Sequence, residues 1–284
     1  MKGHIHRFGP NDEYSVSVAS DVISRIKAYE LVYDVYKDQG YAKPSRSGRW
    51  VGVHHAHPET VTVIVERRGE LVGTLSIVPD SPLGLPADEL YGDRLAEMRQ
   101  SGRRLSEIIS LAVSETGKSS QLVVLHLCMF AYLVSREIQR ATDMVITVNP
   151  HHRRYYERRM HFVRAGEERT YGKVEGAPAV LLSCDLDNHL RIQGKDRART
   201  IYRKWPSQEK WDRLAWRIEE VHEPMTVDET EFFLRYKTDI WEHASEEQRE
   251  FLEECMVMTC LHSVPVEEML GEPLLWQEGR HRAY

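Results

Sequence analysis

The stretch Arg103 to Gln121, "RRLSEIISLAVSETGKSSQ", decides how this chain folds. "LSEIISLAV" is an aliphatic run of strand length, "SETGKSS" is a turn of small polar residues, and an apolar helical pattern follows from about Ser119 to Arg140. Inside the strand sits one acidic side chain, Glu107. Residues of one parity share a face of a strand, which groups Glu107 with Ile109, Leu111 and Val113 and sets Ile108, Ser110 and Ala112 opposite. A carboxylate among three aliphatic side chains is poorly solvated. Either Arg103, Arg104 or another arginine pairs with it, or its pKa rises and it becomes available for proton transfer.

Upstream, Tyr14 to Asp21 alternates as a strand, and Val22 to Gln39 repeats apolar residues at helical spacing before Gly40. The polar segment from Tyr41 to Glu59 reads as a long loop of the functional kind. Thr60 to Asp80 splits at Arg68-Gly69 into an antiparallel hairpin, and a helix opened by proline runs from Pro86 to about Gln100. Downstream, "MVITVNP" is a buried strand, "HHRRYYERRM" a short helix, and "FVRAGEERTYGK" and "APAVLLSCDL" two further strands. This order predicts a mixed α/β domain over residues 1–187. Residues 188–284 show helical patterns only, with Thr226 and Glu229 spaced as a capping box, and form a helical C-terminal appendage. Its apolar faces pack on the first domain or on a second subunit, as in a homodimer.

The chain has 284 residues, 41% of them hydrophobic, and a net charge of −6, the profile of a globular protein without overall attraction to nucleic acid. Its four cysteines lie in apolar or helical surroundings, which suits a reducing compartment. "MKGHIHRFGPNDE" lacks the apolar core of a signal peptide, and the most apolar segment, Leu122 to Val134, is 13 residues with His126 inside it, too short to span a bilayer. The expected location is the cytoplasm.

Three more clusters carry potential chemistry. Gly117, Lys118 and Ser119 precede a helix, where free N–H groups and a lysine suit phosphate, although position 112 is alanine and no Walker A loop is present. Arg153, Arg154, Arg158 and Arg159 surround Tyr155 and Tyr156, giving either a solvated face or a contact for an acidic partner. His54, His55, His57 and Glu59 are adjacent loop residues without the further ligands of an ordered metal site, and none is assigned. Cys255 and Cys260, five apart on a helix, do not converge.

In this order, "LSEIISLAV", "SETGKSS", "MVITVNP" and the Tyr156 to Phe162 ending resemble the GNAT superfamily of acyltransferases over about Tyr14 to Asp187. The loop departs from that family's Q/R-x-x-G-x-G/A pattern, and His161 stands where the family has glycine. "YELVYDVYKDQGY", "GTLSIVPDSPLGLPADELY" and "RLSEIISLAV" resemble more closely the bacterial N-acyl amino acid synthases and, more distantly, acyl-homoserine-lactone synthases.

The resemblance implies a GNAT-like, mostly antiparallel sheet flanked by helices, and an acyltransferase moving a long acyl chain from acyl carrier protein, or acyl-CoA, to the α-amine of an amino acid, the product being a signalling lipid. No cofactor is tightly bound; acyl-phosphopantetheine or CoA enters as substrate. It assigns proton transfer to Glu107 and Tyr156, the acyl donor to Leu111, Ala112, Val113, Gly117, Lys118, Ser119 and Asn149, and carrier-protein docking to Arg153, Arg154, Arg158 and Arg159. Two rivals remain: an acyl-homoserine-lactone synthase that consumes S-adenosylmethionine, and a non-catalytic module that binds acyl carrier protein or an acyl ligand.

Overall fold

The computed structural model describes residues 5–189, 207–221, 225–238 and 240–263. Among these residues nine strands form one sheet. β1 (His6–Phe8), β2 (Tyr14–Val18), β3 (Val61–Arg67), β4 (Glu70–Pro79), β5 (Leu105–Val113) and β6 (Asp143–Val148) lie in chain order across it. Next come β9 (Ala177–Asp185) and β7 (Val163–Arg164), while β8 (Arg169–Tyr171) also pairs with β9. Every pairing is antiparallel except β5 with β6. The helices are α1 (Val22–Asp38), α2 (Asp88–Gln100), α3 (Gly117–Leu133), α4 (Pro150–Met160), α5 (Leu186–His189), α6 (Gln208–Val221), α7 (Val227–Phe232), α8 (Ile240–His243) and α9 (Glu246–Ser263). This is the mixed, mostly antiparallel sheet flanked by helices, with C-terminal helices after it, that the resemblance implies.

Strand alternation sorts the core into two layers. Val61, Val63 and Val65 of β3, Met144 and Ile146 of β6, and Val180 and Leu182 of β9 face α3 and α4. Their neighbours Ile64, Val145 and Leu181 face the other way, toward α1 and α2. The hairpin turns at Arg68 and Gly69, both at positive φ (52° and 88°), the type I′ geometry that matches strand twist. Asp21 is the cap of α1 rather than the end of a strand, its carboxylate accepting from Ser24 N–H at 2.9 Å.

Three expectations change. β1 has too few residues to show a period, and it exists because its backbone pairs with β2. Leu122 to Val134 lies within a 22-residue helix, Gly117–Ile138, when the π-turn Val134–Ile138 that continues α3 is included. That helix has the length and composition to cross a membrane, yet Val123, Leu127 and Phe130 to Val134 are buried against the sheet, as in a core helix.

The third change concerns β5. Ser76 pairs with Ile109 and Thr74 with Ala112, so Ser110 and Leu111 together stand opposite Leu75, and Ser110 takes φ 56°. This bulge shifts the parity by one. Glu107 and Ile109 face the α2 side, whereas Leu111 and Val113 join Ile108 on the α3 side. Glu107 therefore shares its face with Ile109 but not with Leu111 or Val113.

The C-terminal helices pack on both faces of the first domain. Trp211, Leu214 and Ile218 of α6 enter the α3 layer, where Trp211 meets the ring of Tyr132 at 5.5 Å. Phe233, Leu234, Ile240 and Leu252 enter the α1 layer, where Phe233 lies 5.8 Å from Tyr29 and Phe251 stacks 5.6 Å from His57. Thr226 and Glu229 form the expected capping box. The side chains of Cys260 and His262 lie outside the described residues.

Candidate active site

β5 and β6 pair from Leu105↔Asp143 to Ile108↔Ile146 and then part. Beyond that point β6 continues against β9 to Val148, and β5 against β4 to Val113. The backbone of Ile109 to Val113 thus has a ladder partner on one side only. The gap is a cavity of about 460 Å³, closed by α1 on one side of the sheet and by α3 and α4 on the other.

Glu107 stands where the strands part, 2% exposed. Its Oε2 accepts from Ala87 N–H at 2.8 Å, and among the described residues no cation pairs with it. The arginines considered from sequence are engaged elsewhere. Arg103 bridges Asp143 and Asp185 across the parallel pair, and Arg104 Nε donates to Arg140 O at 2.8 Å. Burial accordingly pushes the Glu107 pKa up to about 8, with the Ala87 N–H and the charge of Lys173 acting against it. Its proton is held at neutral pH and released slightly above it.

Next to it the bulge presents Ser110, whose Oγ lies 3.1 Å from His55 Nε2. His55 Nδ1 is held against the Gly52 backbone, 3.0 Å from its N–H and 3.3 Å from its carbonyl oxygen, so one peptide unit fixes the ring that meets Ser110. Burial, reinforced by Lys173 and His54, lowers the His55 pKa to about 3, so the ring stays neutral. The other loop histidines diverge: His57 Nδ1 accepts from Glu59 N–H at 3.1 Å and its ring lies on Phe251. Among the described residues no three such side chains converge on a metal position.

Of the residues expected to hold an acyl donor, Leu111, Ala112, Val113 and Asn149 line the cavity, and Asn149 Oδ1 also caps α4 by accepting from His151 N–H at 3.3 Å. Gly117, at φ 61°, opens α3, but Gly117, Lys118 and Ser119 do not line the cavity; Ser120, Gln121, Val124 and Cys128 of the same helix do. Burial pushes the Cys128 thiol up to about 12, which keeps it protonated. Tyr156 lines the wall from α4, half-buried, and burial holds its phenol well above the usual range. α4 ends at His161 in the left-handed region (φ 56°, ψ 27°), the conformation that a glycine takes without strain. Arg154, Arg158 and Arg159 are exposed on its outer face, and Arg153 pairs with Glu157 at 3.3 Å.

A family model described as the N-acyl amino acid synthase FeeM matches residues 27–185. This chain belongs to that family. It is an acyltransferase of N-acyl amino acid synthase type. Among solved structures, FeeM from uncultured soil microbes is 23% identical, with a TM-score of 0.56, over 68% of this chain and 97% of that one. The acyl-homoserine-lactone synthase LasI is similar over 69% of this chain and 95% of its own (13% identity, TM-score 0.45). A ribosomal-protein-S5-alanine acetyltransferase from Vibrio fischeri is similar over 65% and 98% (14%, 0.44). The likeness to the FeeM structure shows the fold. No curated protein sequence matches significantly.

Cavity-lining residues to which sequence reasoning gave no role in acyl transfer are His55, Ser110, Tyr36, Trp50, Tyr171 and Lys173. They come from α1, the long loop, β5 and the end of β8 with the turn after it, and no local spacing links them. The functional reading of the Tyr41 to Glu59 loop was the only signal pointing that way.

Proposed function

We propose that the chain acts in the cytoplasm and moves a long acyl group from acyl carrier protein to the α-amine of a free amino acid. What supports this most is the cavity where β5 and β6 part, with a proton-holding carboxyl at its base and a basic helix on its wall. A thioester arm lying along Ile109 to Val113 finds backbone groups that β6 does not occupy. The amine attacks the thioester carbon, and the N–H facing the gap at the bulge, near Leu111, receives the oxyanion. The ionised form of Glu107 takes the amine's proton, directly or through water. The C–S bond then breaks, with Tyr156 donating a hydrogen bond to the departing sulfur. A phenol above the usual range holds its proton more tightly than a thiol with pKa about 8.5, so the thiolate leaves stabilised by this bond and takes its proton from solvent. A free α-amine has a pKa of about 8 or somewhat above, so its deprotonation costs on the order of 1 to 3 kcal/mol. The exchange of thioester for amide is redox-neutral and needs no resident cofactor.

The choice of acyl carrier protein over CoA is supported by α4. Arg154, Arg158 and Arg159 face solvent on the helix whose inner face supplies His152, Tyr155 and Tyr156 to the cavity. Carrier proteins are acidic, and such a patch steers them mainly through association rate. Reversing Arg154 and Arg158 to Glu raises KM at least tenfold for acyl carrier protein donors, more at low salt, and leaves KM for a small acyl thioester unchanged. An equal rise for both donors contradicts docking on α4.

A further inference from the structure

Of the side chains that line the cavity, the carboxyl of Glu107 and the ammonium of Lys173 are the charged types; the rest are apolar, aromatic, hydroxyl, amide or neutral histidine. Lys173 lies in the single turn Gly172–Val174 that follows β8, opposite the gap. Its ammonium reaches across to the long loop, since a methyl group added to Gly52 would come within 3.5 Å of its Nζ. The turn is tied to that same loop by the Lys43–Glu175 ion pair at 2.9 Å. Among the described residues Lys173 itself makes no ion pair.

Its position along the cavity sets its role. Lys173 stands beside Gly52, Gly52 bonds His55, and His55 bonds Ser110 of β5, which sets the ammonium toward the Glu107 end of the cavity; its charge accordingly favours ionisation of Glu107 and disfavours protonation of His54 and His55. The helix N-terminus at Gly117 lies past the other end of β5. From Glu107 to Val113 is six residue steps along the strand, on the order of 15 to 20 Å. A cation that served a donor phosphate would stand at that far end.

A free amino acid carries an amine and a carboxylate on one carbon, and this end of the cavity offers one proton acceptor and one cation. We infer that Lys173 binds the α-carboxylate of the acceptor amino acid and so turns its amine toward Glu107. The assignment rests on the acyl-transfer reading above and adds to it the rule by which acceptors are selected: α-amino acids are taken, and amines without a neighbouring carboxylate are refused. Ser110, its hydroxyl bonded to His55, stands at the same end.

The test compares an α-amino acid with its carboxamide and its decarboxylated amine, at saturating acyl donor, in the wild type and in Lys173→Met and Lys173→Arg. The carboxamide's amine is the less basic, so more of it is unprotonated at neutral pH and chemistry alone favours it. The wild type is expected to prefer the amino acid nonetheless, by roughly tenfold to a hundredfold in kcat/KM, the range for a hydrogen bond to a charged group. Lys173→Met erases the preference by raising acceptor KM while donor KM stays put, and Lys173→Arg retains most of it. Equal use of acid and carboxamide by the wild type overturns the assignment while leaving acyl transfer intact. A rise in donor KM alone in Lys173→Met also overturns it, and places the lysine on the donor. Absence of transfer to any amine removes the acyl-transfer reading and this assignment with it.

Discussion

Glu107 keeps its proton at neutral pH because desolvation outweighs the single N–H from Ala87 and the charge of Lys173. As the base it works only when ionised, so kcat rises with pH through a midpoint near 8 and levels off above it. Glu107→Gln preserves an acceptor for Ala87 N–H, and it is expected to lower kcat by roughly 10²- to 10⁴-fold and to flatten that rise. Unchanged turnover in this variant takes Glu107 out of the mechanism. Stability carries an independent signature. The folded pKa, about 8, lies above the ordinary value of 4.5, so between these limits the native state binds more protons than the unfolded one. The Glu107 contribution to stability therefore falls as pH rises from about 4.5 to 8 and is constant above. Melting temperatures across that window should decline less in Glu107→Gln than in the wild type. Burial of this carboxylate was legible in its aliphatic neighbours. The lack of a partner was not, because Arg103 is drawn to Asp143 and Asp185, which adjoin it only once β5 and β6 pair in parallel. The His55–Ser110 bond was hidden for a similar reason: 55 residues separate its ends.

At the scale of elements, β5 does two things at once. Its first four residues hold β6, and its last five, released by the parting of the strands and re-aimed by the bulge, line the cavity. The position of α3 depends on a close approach at Gly73 of β4, where an added Cβ would meet Val123 Cγ1 at 2.5 Å and Leu127 Cδ1 at 3.3 Å. Gly73→Ala should therefore cost about 1 to 3 kcal/mol by overpacking, measured by denaturant unfolding, and Val123→Ala in the same chain should restore part of the loss. An unaffected midpoint in Gly73→Ala contradicts this packing of α3 on β4. Strands, helices and the hairpin were largely legible, since each shows its own period or turn residues. The bulge was not: a serine in the left-handed region leaves no mark in composition, and parity counting passed straight through it. β1 was missed because three residues carry no period.

The whole molecule is a sheet enclosed from both sides, with the helices beyond the first domain completing both core layers. That the described residues of this segment are mainly helical was legible from charge and apolar spacing. Where they pack was left open between the first domain and a second subunit, because an amphipathic face says that it is covered and not by what; Trp211 against Tyr132 and Phe233 against Tyr29 place it on the first domain. The cavity, α4 and the acceptor end together carry the central claim, acyl transfer from carrier protein to an amino acid. The measurement that tests it most directly is incubation of the full chain with C12 to C16 acyl carrier proteins and the twenty amino acids, followed by mass spectrometry of the products. The account predicts an N-acyl amino acid that falls away with Glu107→Gln. Acyl carrier protein bound with no acylated amine formed, or a product whose formation consumes S-adenosylmethionine, would contradict it.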